Sequence, residues 1–321
     1  MADFINMPLT NLGSMCVTAL VTLAITLIFR TSFTTNFAQG MISAFGAYVV
    51  SFTMTKWDFP VFVAIPLSMI VSLLIAAFVD VVLFRRGRYV NALGKQIITM
   101  GLISVISGLT PLIFDEIENG PYKMSPITYD TLVLGKMSSY VTDANGNPVS
   151  VDISVTYNNL IWASVTVVVI ALIFILLRYS KWGLSVRATA SNEYVAGMMG
   201  INTHVVTAVS WGVAGAIGAL AAYIKASEAG EVSTYYMTDY QVTAFLAGIL
   251  GGFGTFHGPV ICALLLPLAE GLIYAVLNFI SYKFEIPDLN GWSTAIVFLI
   301  ALVIIFIKPQ GIFGKKVEKK V

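Results

Sequence analysis

An all-α, polytopic transmembrane helix bundle is the fold class this sequence predicts, and three observations carry the prediction. Apolar residues make up 57% and charged residues 11% of the 321, with a mean hydropathy of +0.85, well outside the composition of a water-soluble domain. Apolar runs of about 20 residues recur along the chain, each long enough as a helix to cross roughly 30 Å of hydrocarbon. The runs are apolar on every face, as in "SVTVVVIALIFILL" at residues 164–177. A β-barrel would instead alternate over short segments.

Taken in order, the runs place spans near residues 9–29, 37–54, 61–84, 96–114, 159–178, 204–224, 239–256, 258–280 and 292–307, within an expected range of about 8–10 spans. The first run lacks a preceding Lys or Arg, so it reads as a retained helix and not as a cleaved signal peptide. Residues 31–48 and 239–261, around the second and seventh spans, are broken by glycine and polar residues. Either is a candidate re-entrant or interrupted helix, a backbone tolerated at membrane depth only where protein or a water-filled cavity surrounds it. Between the fourth and fifth spans, residues 115–158 form the one sizeable extracytoplasmic loop, in which "TDANGNPVSV" suits a hairpin turned at Asn145-Gly146. It reads either as a docking or gating lid or as a solvated connector.

Alternation of nine spans places thirteen of the eighteen Lys and Arg on one side, namely Arg30, the "RRGRYVNALGK" loop, the segment around 178–203 and the C-terminal tail. That side is therefore expected to be cytoplasmic, with the N-terminus outside and the C-terminus inside. A net charge of +1, sorted by loop and not gathered into a patch, offers nothing to a nucleic acid. Cys16 and Cys262 fall within apolar runs and read as small buried hydrophobes. His204 and His257 are too isolated to make a metal site.

Residues 179–203 interrupt the apolar pattern with a short polar segment that carries its own helix. Ser191 or Asn192 caps it, Glu193 lies in its first turn and Gly200 stands where a left-handed C-terminal cap belongs. Val195, Met198 and Met199 recur at i, i+3 and i+4, which gives a two-turn helix one apolar stripe. Two turns are not stable alone in water, so the membrane surface, neighbouring helix ends or another protein must cover the stripe.

The segment "GLSVRATASNEYVAGMMGIN" at 183–202 resembles the cytoplasmic coupling loop of the branched-chain amino acid ABC transporter permease family. "NFAQGMISAFGAYV" at 36–49, the glycine-rich "FLAGILGGFGTFHGPVICALLL" at 245–266 and the ending "KPQGIFGKK" at 308–316 are similar to further signatures of that family. The resemblance covers nearly the whole chain in order. It implies a non-catalytic inner-membrane subunit that forms the translocation pathway for branched-chain amino acids or a related small polar solute. The implied partners are ABC ATPase subunits, a second identical or homologous permease and an extracytoplasmic solute-binding protein. ATP and Mg would sit on the ATPase, and no cofactor or metal on this chain. The nearest approach to a phosphate-binding loop, "GRYVNALGKQ", has the wrong spacing and ends in Gln96. Within the resemblance, Glu193, Val195, Ala196, Gly197, Met198, Met199 and Gly200 are the ATPase-coupling residues.

Asn36, Gln39 and Glu270 are the remaining candidates, as pathway or packing residues. The two amides open an apolar run, where they line a path or bond across helices. Glu270 is an acid within an apolar run, expected to face the bundle interior or a cavity, as a gate or as a hydrogen-bonded lock. It is also the residue on which the rival reading, an ion-coupled secondary transporter, depends. Asp80 is expected to pair with Arg85 and Arg86 at the interface, and Gly248 with Gly252 to form a G-x-x-x-G contact between helices.

Overall fold

The structure, a computed structural model, describes residues 7–85, 91–115, 122–124, 126–142, 148–284 and 289–314. Nine long helices occupy the nine expected runs. They are α1 (Leu12–Ser32), α2 (Gln39–Trp57), α3 (Val61–Phe78, continued by a π-helical turn Val79–Phe84), α4 (Ala92–Phe114), α5 (Tyr157–Tyr179), α8 (Thr203–Ala229), α9 (Thr238–Gly251), α10 (His257–Phe284) and α11 (Ser293–Ile307). Two short helices, α6 (Lys181–Ser191) and α7 (Glu193–Met198), lie between α5 and α8. Seven of these helices are long and apolar enough to cross a membrane, counting α3 with its π turn and α11 with the preceding 3-10 turn. The exceptions are α2 and α9, the two segments where the pattern was broken.

Burial sorts the helices by the company they keep. On α1 every side chain from Cys16 to Leu27 is buried, and α8 is buried almost throughout residues 210–224. These two form the centre, and α8 packs along α1, α2 and α3. Small residues allow the approach: a β-carbon at Gly215 would stand 2.4 Å from the Ser72 carbonyl oxygen. The peripheral helices turn Phe62, Phe78, Leu112, Val167 and Phe306 outward. In water such faces would be a liability, whereas a bilayer is their natural solvent.

At one end of the bundle β2 (Thr131–Thr142) pairs antiparallel with β3 (Pro148–Thr156), from Thr131 opposite Thr156 to Thr142 opposite Pro148. This is the expected hairpin; its turn at Asn145-Gly146 lies outside the described residues. A second pairing was not anticipated. The two-residue strands β1 (Tyr122–Lys123) and β4 (Glu231–Val232) are antiparallel partners, and the Met124 amide donates to the Gly230 carbonyl at 3.0 Å. The loop after α4 is thereby stapled to the linker between α8 and α9.

The seventh span is shorter than its apolar run. At 14 residues α9 rises only about 21 Å, less than a hydrocarbon core. It stops at Gly251 because Gly252 takes a φ of +81° and the chain folds back onto α10 so closely that a β-carbon at Gly251 would lie 2.3 Å from the Gly258 carbonyl carbon. The G-x-x-x-G reading is corrected by the same geometry. Gly248 makes room for the ring of Phe253 in the following turn, and Gly252 for the backbone of Gln310 and Gly314. The two glycines therefore serve the turn and the tail and do not form a helix-pairing face. The Ile312 amide donates to the Leu250 carbonyl at 2.6 Å, and the Arg30 guanidinium to the Gly254 carbonyl at 2.5 Å. The glycine-rich signature, the tail and the end of α1 thus converge at the end opposite the hairpin.

Candidate functional site

Around the polar segment the expected two-turn helix is present as α7, with an additional three-turn helix before it. In α6 the Ser180 hydroxyl accepts from the Gly183 amide at 2.9 Å, and Gly183 abuts the end of α5, where a β-carbon would fall 2.3 Å from the Leu176 carbonyl oxygen. Asn192 ends α6 and caps α7, its side-chain oxygen accepting from the Val195 amide at 3.1 Å. At the other end Gly200 has a φ of +85°, its amide donates to the Gly197 carbonyl at 3.0 Å, and the Ile201 amide donates to the Ala196 carbonyl at 3.1 Å. That pair of bonds is a Schellman closure. A helix too short to persist by itself is thus held at both ends by its own backbone and cap.

One residue holds α7 to the bundle. Ala196 is 4% exposed, whereas Met198 and Met199 are 64% and 79% exposed and Glu193, Tyr194, Val195, Gly197 and Gly200 also face outward. The stripe of Val195, Met198 and Met199 is therefore uncovered within this chain. Gly200→Val is expected to fray α7, because an L side chain in the left-handed region costs about 1–2 kcal/mol. Hydrogen exchange of amides 195–199 should accelerate by roughly tenfold, with the melting temperature of the bundle unchanged. Unchanged exchange would show that the closure does not hold the helix.

Asn36 and Gln39 meet in the interior, and the geometry shows what they do there. Residues 33–38 are not helical, so α2 begins only at Gln39, level with Ala214 of α8, about 16 Å along that helix from Thr203. An amide-rich seam satisfies this buried helix start. Asn36 donates to Gln39 Oε1 at 3.2 Å and accepts from the Ala38 amide at 3.0 Å, while Gln39 Nε2 donates to the Ala214 carbonyl at 3.0 Å. From α9, Gln241 Nε2 donates to the Phe37 carbonyl at 2.6 Å and Gln241 Oε1 accepts from the Gly40 amide. The Phe37 amide in turn donates to Thr99 of α4 at 3.2 Å. Orphan backbone groups at a helix start must find partners when water is absent, and four helices supply them. Gln241 was not singled out from the sequence. Its signal was the one that marked Asn36 and Gln39, an amide in the opening turn of an apolar helix.

Glu270 stands apart from both groups. It lies on α10 beside the start of α1 and accepts from the Thr294 hydroxyl at the start of α11. It faces a cavity of about 560 Å³ shared with Asn11, Ser14, Asp239 and Tyr240. Asp80 makes no close ion pair with Arg85, although Arg85 remains the foremost charge acting on it. It is 4% exposed within the π turn of α3, with Thr207 of α8 as its hydrogen-bonding neighbour, and Arg85 donates to the His204 carbonyl at 2.9 Å. Asp80 and Arg85 both turn toward the start of α8, where Asp80 meets the Thr207 hydroxyl and Arg85 the His204 carbonyl; Arg86 lies outside the described residues. Cys16 and Cys262 are buried free thiols. No cluster of metal-ligating side chains occurs among the described residues.

Residues 7–307 match the family described as branched-chain amino acid transport system / permease component. The chain is 24% identical over 324 residues to the high-affinity branched-chain amino acid transport system permease protein LivH of Salmonella typhimurium, covering 94% of this chain and 93% of that one. It is 23% identical over 311 residues to the corresponding permease protein BraD of Pseudomonas aeruginosa, with the same coverages. A probable branched-chain amino acid transport permease protein LivH of Methanocaldococcus jannaschii is 23% identical over 308 residues, covering 92% and 88%. No solved structure matches. A match over nearly the whole chain, on a bundle of long apolar helices, leaves one conclusion: this multi-pass membrane protein belongs to the permease-component family of branched-chain amino acid transport systems.

Proposed function

We propose that the chain is the membrane-spanning subunit of an ATP-binding cassette importer and forms the pathway for branched-chain amino acids or a closely related small polar solute. The observation that carries this reading is α7, a rigidly capped helix with an uncovered Val195, Met198 and Met199 stripe. It is the shape an ATPase groove would take, and methionines adapt to an irregular groove. Closure of the ATPase pair would move α6 and α7 as a rigid body against the ends of α5 and α8. Glu193, Ala196, Gly197 and Gly200 serve that contact by charge, anchoring and shape.

The excess of Lys and Arg at the α7 end supports a cytoplasmic position for that end, with the β2–β3 hairpin outside as a surface for a solute-binding protein. Residues 115–158 are then the extracytoplasmic insert and 179–203 the coupling loop of one permease domain, in the cytoplasmic membrane. The chain is not itself an enzyme; ATP and Mg belong to the separate ATPase, and a second permease, a copy or a relative, completes the pathway. Affinity purification of the solubilised chain from its native membrane tests this. The expected result is a co-purifying P-loop ATPase whose activity rises with a loaded binding protein. Recovery of the chain alone, with uptake driven by a proton or sodium gradient, would overturn the proposal and direct attention to Glu270.

A further inference from the structure

At the α7 end of the bundle a cavity of about 780 Å³ lies between the end of α1, the π turn of α3, the start of α4, α7 and the start of α8. Asp80 lines it and is itself almost wholly buried. The nearest donor to its carboxylate is the Thr207 hydroxyl at 3.4 Å, and that hydroxyl also lies 3.1 Å from the His204 carbonyl. A hydroxyl has one proton, and the shorter bond claims it. The carboxylate is thus left without a full-strength hydrogen bond in a place where buried charge normally requires a partner. Cations share the cavity: Arg85 and Lys95 line it together with His204 and Glu193, near enough to Asp80 to act on its carboxylate electrostatically. Arg85 gives one guanidinium donor to the His204 carbonyl and keeps the others.

We propose that this cavity binds a small zwitterion, its ammonium group on Asp80 and its carboxylate toward Lys95 and Arg85. A cavity lined by a buried acid short of hydrogen bonds and by two cations matches a molecule that carries both signs a few bonds apart, and matches a simple cation or anion less well. For a transported amino acid, an assignment that rests on the permease reading above, this is the release site beside the coupling helix, because Glu193, Tyr194 and Met198 of α7 share its lining. An ethanolamine phospholipid headgroup offers the same pair of charges.

The test uses the full chain with its co-purifying partners, in nanodiscs of phosphatidylcholine and phosphatidylglycerol, with labelled L-leucine as the probe. Leucine is expected to bind saturably, and Asp80→Asn to weaken it at least tenfold. Lys95→Met should weaken leucine and its keto acid but leave leucinamide unchanged; Asp80→Asn should leave the keto acid unchanged. Absent leucine binding, with ethanolamine lipid retained by wild type from native membranes and lost in Asp80→Asn, assigns the site to the headgroup. Equal binding of both probes to wild type and Asp80→Asn overturns the proposal. If Asp80→Asn does not fold, Lys95→Met decides alone: no change in the preference for leucine over leucinamide overturns it. ATPase co-purification is scored in the same samples, so a failed site and a failed importer assignment give different results.

Discussion

Met198→Glu combined with Met199→Glu is expected to abolish co-purification of the ATPase and solute uptake together. Both side chains project from α7 into solvent in the isolated chain. Burial of two such side chains in a groove contributes about 3–6 kcal/mol. Glutamates lose that contribution and carry a carboxylate into a desolvated contact, so affinity should fall by more than a hundredfold. The chain itself should be unharmed, because Ala196 supplies the packing against the bundle and Asn192 and Gly200 hold the helix ends. Its melting temperature and detergent elution profile serve as the control. Wild-type assembly and uptake in the double variant would remove the stripe from the interface and require another account of why it is uncovered.

Gln241→Leu is expected to be the most damaging single substitution in the interior, despite conserving volume and increasing hydrophobicity. The wild-type amide completes both the Gly40 amide and the Phe37 carbonyl at a helix start within the bundle. Leucine leaves two buried backbone groups unpaired, a loss of about 2–6 kcal/mol. The melting temperature of the solubilised protein should fall by several degrees, and a cysteine placed at Phe37 should become accessible to a thiol reagent in the variant and not in the otherwise wild-type chain. A thermal transition as high as wild type would show that other groups satisfy the start of α2. Function and stability are expected to fail together here, whereas the α7 variant separates them.

Much of the architecture was legible because a bilayer imposes few rules. Each span had to be a helix, so nine apolar runs became nine helices with ends displaced by a few residues. The cap residues of α7 were readable because Asn192 and Gly200 act within one turn of their own position. Other features depended on partners distant in the chain. Composition could flag 31–48 and 239–261 as interrupted but not show that each interruption completes the other, since Gln241 and Gly40 lie 201 residues apart. The β1–β4 staple was invisible because two-residue strands have no periodicity to detect. Asp80 was assigned to its sequence neighbours because a local pattern shows only local partners, whereas Thr207, its hydrogen-bonding neighbour, and His204, whose carbonyl takes a bond from Arg85, stand 127 and 119 residues along the chain from the side chains they meet.

The sequence by itself determined that this chain lives in a membrane, where its nine apolar helices run and which short polar segment carries a capped helix with one apolar stripe. These properties follow from local backbone chemistry and from a solvent that offers no hydrogen bonds. Only the tertiary structure decided which polar side chains are spent on satisfying backbone and which are left facing a cavity. Asn36, Gln39 and Gln241 are closed into a seam, while Asp80 and Glu270 look into open space. A polar atom within a span must find a partner, and where that partner stands is a matter of packing that no local pattern contains.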